Sequence, residues 1–332
     1  MSKDRIQAFS ESVIAIGITV SILSHEAHSQ QMADSSFNAT VARPAYAQTH
    51  PTIVIDEAHS NFHTSSGRYK PFADLLKSDG YNIVAGTKKF DSGSLDSARV
   101  LVIANAEAPD ADDSTSSSTG EISGPAFTEH ECDVVRDWVR DGGSLLLIAD
   151  HAPFGSAAEN LARRFGVNMG KGYVFDRSNS EAMPTLLVYS RENGLLGDHP
   201  LLRGRDATEE VKRIVAFTGQ SLGVPKGAVA FMKLGSTAYE SPTRTELQAA
   251  QDTSEATVGQ KNSVSGRAQG VAMQFGKGRV VIMAEAAMFS AQVVRFQNDG
   301  KQQEFKMGMN VSGNDDRQLA LNVMHWLSGL LE

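Results

Sequence analysis

Cysteine is almost absent from this chain: Cys132 is the only one in 332 residues. That excludes an intrachain disulfide and any metal site built from clustered cysteines. Positive charge is scarce as well. The net charge is −8, the pI is near 5.6 and no basic stripe runs along the sequence, which argues against a nucleic-acid partner. No phosphate-binding glycine loop, dinucleotide fingerprint, His-Glu-x-x-His motif or cluster of sugar-stacking aromatics stands out. Apolar runs long enough to cross a bilayer comfortably, about 20 residues, are missing too.

What is present is ordinary for a globular chain: 41% hydrophobic and 21% charged residues. Lys3 and Arg5 precede a short apolar run, "VIAIGITVSIL", from Val13 to Leu23. A run of that length suits the core of a signal peptide. Two small-x-small patterns follow, Ala27-His28-Ser29 and Ala45-Tyr46-Ala47. Residues 1–47 are therefore expected to be a signal, anchor and linker segment outside the fold. The protein would be exported, periplasmic or membrane-anchored, with this segment as the part that meets a membrane.

From Thr52 onward strands and helices alternate. "TIVID", "YNIV", "RVLVIANA" and "SLLLIAD" read as short buried strands. "KPFADLLKSDG" has Phe72, Leu75 and Leu76 at helical spacing and stops at Gly80. Thr128 and Glu131 form a capping box ahead of a second helix with Val135, Trp138 and Val139 inward. "SAAENLARRFG" is a third helix, and a last one runs through "DDRQLALNVMHWLSGLL". Further strands are expected at "TLLVYS", "RIVAFTG" and "AVAFMKL", and a tight hairpin at "VAMQFGKGRVVIMAEA". The polar stretch 108–125 reads as a mobile loop and 240–268 as a polar excursion. Near-continuous apolar strands alternating with helices predict an α/β fold, a mostly parallel sheet covered on both faces, in one domain over residues 50–331.

Ligands of open parallel sheets bind beyond the carboxyl ends of the strands. Here those ends carry Asp56, Glu57, His59 and His63, then Asn105 and Glu107, then Asp150 and His151, then Glu285. Each alone has a bland explanation as a cap, turn or loop residue; four strand ends together predict a shared site.

The stretches "IVIDEAHSNFHTSSGRYKPFADLL", "ARVLVIANA", "EHECDVVRDWVRDGGSLLLIADHAPFG" and "GRVVIMAEAAMFSAQ" resemble, in this order, the class I glutamine amidotransferase-like superfamily. The resemblance is to its branch of bacterial domains related to the gliding-motility transporter accessory domain and the intraflagellar-transport GIFT domain. It implies a flavodoxin-like, doubly wound sheet. Amidotransferases carry a nucleophilic cysteine on the turn after a central strand; Asp150-His151-Ala152-Pro153 stands there, so glutaminase activity is not expected. Separately, "RIQAFSESVIAIGITV" resembles the first membrane helix of bacterial relatives of the lysosomal potassium channel, with Glu11 where that family has Asp. No further spans follow it, which rules out a channel.

Three functional readings stay open. The first is a hydrolase-like site of His59, His63, Asp150, His151 and Glu285, supported by Asn105 and Glu57. A divalent ion such as zinc could be held by His59, His63, Asp150 and His151, since imidazole and carboxylate suit it. The second rests on "GQSLG", which places Ser221 in a Gly-x-Ser-x-Gly pattern of serine esterases, although Pro225 and Gly227 follow where a helix is needed. The third is a non-catalytic ligand- or glycan-binding or assembly domain, with Arg68, Tyr69 and Phe154 lining a groove. The expected partner is a small molecule, peptide or carbohydrate.

Overall fold

The apolar runs become a central sheet in the computed structural model, which describes residues 31–109, 124–252, 262–298 and 301–332. A short strand, β1 (Gln31–Ala33), precedes the alternating series. That series is β2 (Thr52–Asp56), α1 (Lys70–Ser78), β3 (Asn82–Gly86), β4 (Val100–Ala104), α2 (Glu129–Asp141), β5 (Ser144–Ile148) and α3 (Phe154–Arg163). Four short strands and a one-turn helix follow: β6 (Tyr173–Asp176), β7 (Leu186–Ser190), α4 (Pro200–Arg203), β8 (Arg213–Phe217) and β9 (Val229–Lys233). After β10 (Ala238–Ser241) and α5 (Arg244–Asp252) come β11 (Ala268–Phe275) and β12 (Gly278–Met283). A hairpin, β13 (Ala291–Asn298) and β14 (Lys301–Gly308), leads to the last helix, α6 (Asp316–Ser328).

The fold is mixed α/β. Its main sheet has seven strands in the order β3-β2-β4-β5-β12-β11-β9. The first five are mutually parallel, whereas β11 runs antiparallel to both β12 and β9. Period-two alternation divides each central strand between two cores. Ile53, Ile55, Val102, Leu146 and Met283 point to one face, where α1 and α6 supply Phe72, Leu76, Leu319 and Val323. Val54, Leu101, Ile103, Leu147 and Ile282 point to the other, against Val135 and Val139 of α2 and Leu161 of α3. Burial on both faces is why these strands show no polar alternation in the sequence. The Gly276-Lys277 turn joins β11 to β12 as expected, with Gly276 at φ +59°.

The structure corrects or adds to these expectations at four points. First, the domain begins earlier than residue 50. β1 pairs antiparallel with β13, Ala45 donates its N–H to Asp79 Oδ1 at 2.8 Å, and the Tyr46 ring meets Tyr81 edge-on at 4.9 Å. Residues 1–30, with the apolar run, lie outside the described residues. Second, the excursion at 240–268 is partly ordered: β10 pairs with β6, and α5 packs Leu247 against Tyr173 and Phe175. Third, His325 of the last helix is fully buried, with Nε2 2.7 Å from Asp79 Oδ2. Fourth, three small sheets (β1-β13-β14, β6-β10 and β7-β8) accompany the main one. The loop expected to be mobile lies for the most part, at 110–123, outside the described residues.

Candidate functional site

Because β2, β4, β5 and β12 are parallel, their carboxyl ends open on one edge, and four loops leave from there. A cavity of about 40 Å³ lies among them, enough for a water molecule. Its lining includes the strand-end residues His63, Asn105, Asp150, His151 and Glu285. These are five of the eight residues singled out in the sequence, and they come from four strand ends. Gln31, Gln292 and Met307, from β1, β13 and β14, close it from above.

Asn105 follows β4 at φ +49°, a left-handed conformation that asparagine tolerates better than most residues. Its Oδ1 accepts the Asp150 N–H at 2.9 Å, so the amide NH₂ is its remaining polar end. Asp150 Oδ1 in turn accepts the His151 N–H at 2.7 Å. The backbone donors of this turn are thereby used internally. His151 stacks on Tyr173, with centroids 4.8 Å apart, and its Nδ1 is 2.8 Å from the Ala152 carbonyl oxygen. Burial pushes the His151 imidazole below its ordinary range, against the opposing pull of the Asp150 charge.

Glu285 is completely buried at the end of β12. Its two carboxyl oxygens accept N–H bonds from Ala287 (2.6 Å) and Met288 (2.9 Å), fastening the short helical turn Ala287–Phe289. Those bonds favour the ionised form, but burial, and then the Asp150 charge, outweigh them and push the carboxyl well up. Burial also raises Asp150, opposed by His151. Asp150 and Glu285 therefore titrate as a pair that retains a proton above the usual carboxylate range. His63 stacks face to face on the buried Tyr69 ring at 4.5 Å.

Three predicted site residues go elsewhere. His59 is locked in place by both ring nitrogens: Nδ1 lies 2.9 Å from Asp56 Oδ2 and Nε2 3.0 Å from Glu131 Oε1. The rings of Phe90 and Phe127 pack on it, each at 4.7 Å. Glu57 accepts the N–H and hydroxyl of Ser65 and so braces its own loop. Ser221 lies outside the cavity; an extended segment bridged to Met169 and Ala268 follows it where an esterase turn requires a helix. Its hydroxyl donates to Glu240 and accepts from Arg267 Nε at 2.6 Å, with no histidine among its partners in the described residues.

The proposed metal set is not assembled either. With both His59 nitrogens committed, that residue cannot ligate, and among the described residues no three His, Cys, Asp or Glu side chains are grouped to hold a metal ion. Nor do Arg68, Tyr69 and Phe154 line an open groove. Tyr69 is fully buried with its hydroxyl on the Ala286 carbonyl, and the Arg68 guanidinium lies 3.8 Å over the Phe62 ring. The partner that sequence reasoning missed is Glu131. Its Oε2 completes the capping box with Thr128 while Oε1 holds His59, so one carboxylate does two jobs and the sequence signal exposes only the first.

No protein-family model matches the chain, and no curated protein matches it significantly. Solved structures do. The N-terminal domain of mmIFT52 is 16% identical, covering 84% of this chain and 97% of that domain, with a TM-score of 0.56. A ThuA-like protein from Bacteroides uniformis overlaps at 14% identity, over 86% of this chain and 95% of that one, with a TM-score of 0.39. A cytoplasmic protein from Salmonella typhimurium overlaps at 10%, over 83% and 98%, with a TM-score of 0.44. What this chain has in common with the IFT52 domain is its fold.

Proposed function

We propose that the strand-end cavity is a hydrolytic acid–base site, with His151 as general base and the Asp150–Glu285 carboxyl pair as proton donor. One observation carries the reading: the short contact between His151 Nδ1 and the Ala152 carbonyl oxygen. A carbonyl only accepts, so Nδ1 holds the hydrogen and Nε2 keeps its lone pair. Burial lowers this histidine while it raises Glu285, which favours a neutral base beside a protonated acid. Opposite displacements of two titratable groups in one site mark such a pair. Water attacks the substrate as Nε2 takes its proton, and the carboxyl pair protonates the leaving group. The Asn105 NH₂ is suited to donate to a developing oxyanion, a contribution of about 3 kcal/mol in well-formed sites.

A cavity of about 40 Å³ takes the water and not the substrate, so this reading requires the cover of Gln31, Gln292 and Met307 to shift. The same small volume favours a second reading, a non-catalytic ligand- or glycan-binding or assembly domain. An ester, amide and glycoside panel separates the two on wild type, His151→Ala and Glu285→Gln. A general base contributes about 10²–10⁴-fold, and His151→Ala is expected to lose that much. Undiminished turnover in both variants, or no turnover of any substrate by wild type, sinks the hydrolytic reading; the latter result favours the binding domain.

We further propose the finer architecture, a flavodoxin-like doubly wound sheet of the class I glutamine amidotransferase-like superfamily in the branch named above. Five adjacent parallel strands with helices on both faces support it. Export to the periplasm or anchoring at a membrane rests on the basic and apolar character of residues 1–47. N-terminal sequencing of protein recovered from the cell envelope tests that location; an intact Met1 on freely cytosolic protein refutes it.

A further inference from the structure

A second, larger cavity shares no lining residue with the His151 site. Its volume is about 390 Å³, within the range of small-molecule sites, about 300–1,000 Å³. Ser221, Glu240, Arg267, Lys171 and Asn168 form its polar wall. Met169, Pro242 and Val264 give it an apolar side.

The arrangement of charge is unusual. Ser221 Oγ sits between the two principal charges, donating to Glu240 Oε2 and accepting from Arg267 Nε. Held a hydroxyl's width apart, Glu240 and Arg267 make no direct ion pair with each other or, among the described residues, with any other side chain. Glu240 is the counter-charge that Arg267 feels at a distance, and the two would stabilise each other more by closing the gap. The backbone prevents it. Glu240 Oε1 accepts the Gly172 N–H at 2.8 Å, and a Cβ on Gly170 would stand 2.3 Å from that same oxygen. Arg267 is fixed from the other side, with Nη2 3.1 Å from the Asn168 carbonyl and 3.0 Å from that of Ser221. Each Glu240 oxygen still has a lone pair free of these partners, and Lys171 stands at the rim, paired with Glu159 at 2.9 Å.

Opposite charges held apart in one cavity complement a ligand that carries both charges close together. We infer that this cavity binds a free α-amino acid with an apolar side chain. Its ammonium group rests on Glu240, its carboxylate faces Arg267 and Lys171, and its side chain lies along Met169, Pro242 and Val264. Nothing in this inference depends on hydrolysis at His151.

The test uses the full chain. Thermal shift against each of the twenty amino acids finds the best ligand, and calorimetry then compares it with its amide, its decarboxylated amine, its deaminated acid and glucose. The amino acid is expected to bind, and each analogue that loses one charge to bind about tenfold or more weaker, the weight of a charged hydrogen bond. Glu240→Gln weakens the amino acid but leaves the deaminated acid unchanged, and His151→Ala binds as wild type. The ligand analogues keep the test decisive even if Glu240→Gln fails to fold. No shift with any amino acid, equal binding of a singly charged analogue, or preference for glucose overturns the inference.

Discussion

Replacing His59 with alanine tests how the first loop is held. The imidazole is fully buried and bonded at both nitrogens to carboxylates, Asp56 and Glu131. Removing it leaves two buried carboxylates facing each other without their shared cation. Breaking a buried pair by deleting one partner costs about 3–5 kcal/mol, and lost contact with the Phe90 and Phe127 rings adds about 1 kcal/mol. Typical domains have about 5–15 kcal/mol in all, so the urea midpoint should fall by a large fraction. The pH dependence is specific. Burial alone would lower His59, but its bonds and charges with Asp56 and Glu131 raise it, so its contribution is complete below the ordinary value of 6.5 and is lost as pH rises through the raised one. Burial alone would raise Glu131, but the bonds from His59 and Thr128 hold it at about 2, so its contribution is complete above the ordinary 4.5 and is lost as pH falls towards 2. The gap between wild type and His59→Ala is therefore widest from about pH 4.5 to about 6.5 and narrows on both sides. Adding Asp56→Asn and Glu131→Gln should recover much of the loss. A gap below about 1 kcal/mol, or one that is flat from about pH 4 to about 9, refutes a charged relay at His59.

Further expectations follow from other sites. Activity at the proposed site should rise as pH passes a value below 6.5, where His151 becomes neutral, and fall at higher pH, above the ordinary carboxylate value of 4.5, as Glu285 gives up its proton; a flat kcat/KM profile contradicts these roles. Cys132 is fully buried and its thiol is pushed up to about 12, so iodoacetamide should label it only after unfolding; labelling of native protein at the rate of a free thiol would count against that environment. Gly219 has φ +70°, and a Cβ there would stand 2.4 Å from the Ala284 carbonyl oxygen and 3.0 Å from Glu285 Cβ. Gly219→Ala should cost about 1–3 kcal/mol in urea and disturb Glu285; unchanged stability would mean that the turn adapts freely.

The central sheet was legible because its strands are buried on both faces. Runs such as "RVLVIANA" and "SLLLIAD" admit no other simple reading, and the helices between them show clear 3.6-residue spacing. The β13–β14 hairpin was missed although Asn298-Asp299-Gly300 is a turn signal, because its polar flanks resemble a loop as much as an edge ribbon. At the site, the parallel-strand rule was enough to gather Asn105, Asp150, His151 and Glu285. It could not assign His59, which leaves the same edge of the sheet, after β2, but turns toward Glu131, 72 positions along the chain. Whether a loop residue faces a cavity or its neighbours is decided by packing between distant elements, and one sequence does not record that.

Strand β1 bears on how the chain could be processed. Gln31 forms part of the cavity cover, Met32 pairs with Val293, and Tyr46 hydrogen-bonds Ser328 at 2.9 Å. The two small-x-small patterns are therefore not interchangeable for a processing peptidase. A cut after Ser29 spares all of these contacts. A cut after Ala47 removes Gln31 from the cavity lining, leaves β13 as a bare sheet edge and takes away the N–H that Ala45 gives to Asp79. Trimming at the later position would yield a different surface from the same gene product, with a main-chain edge laid open where β1 had paired.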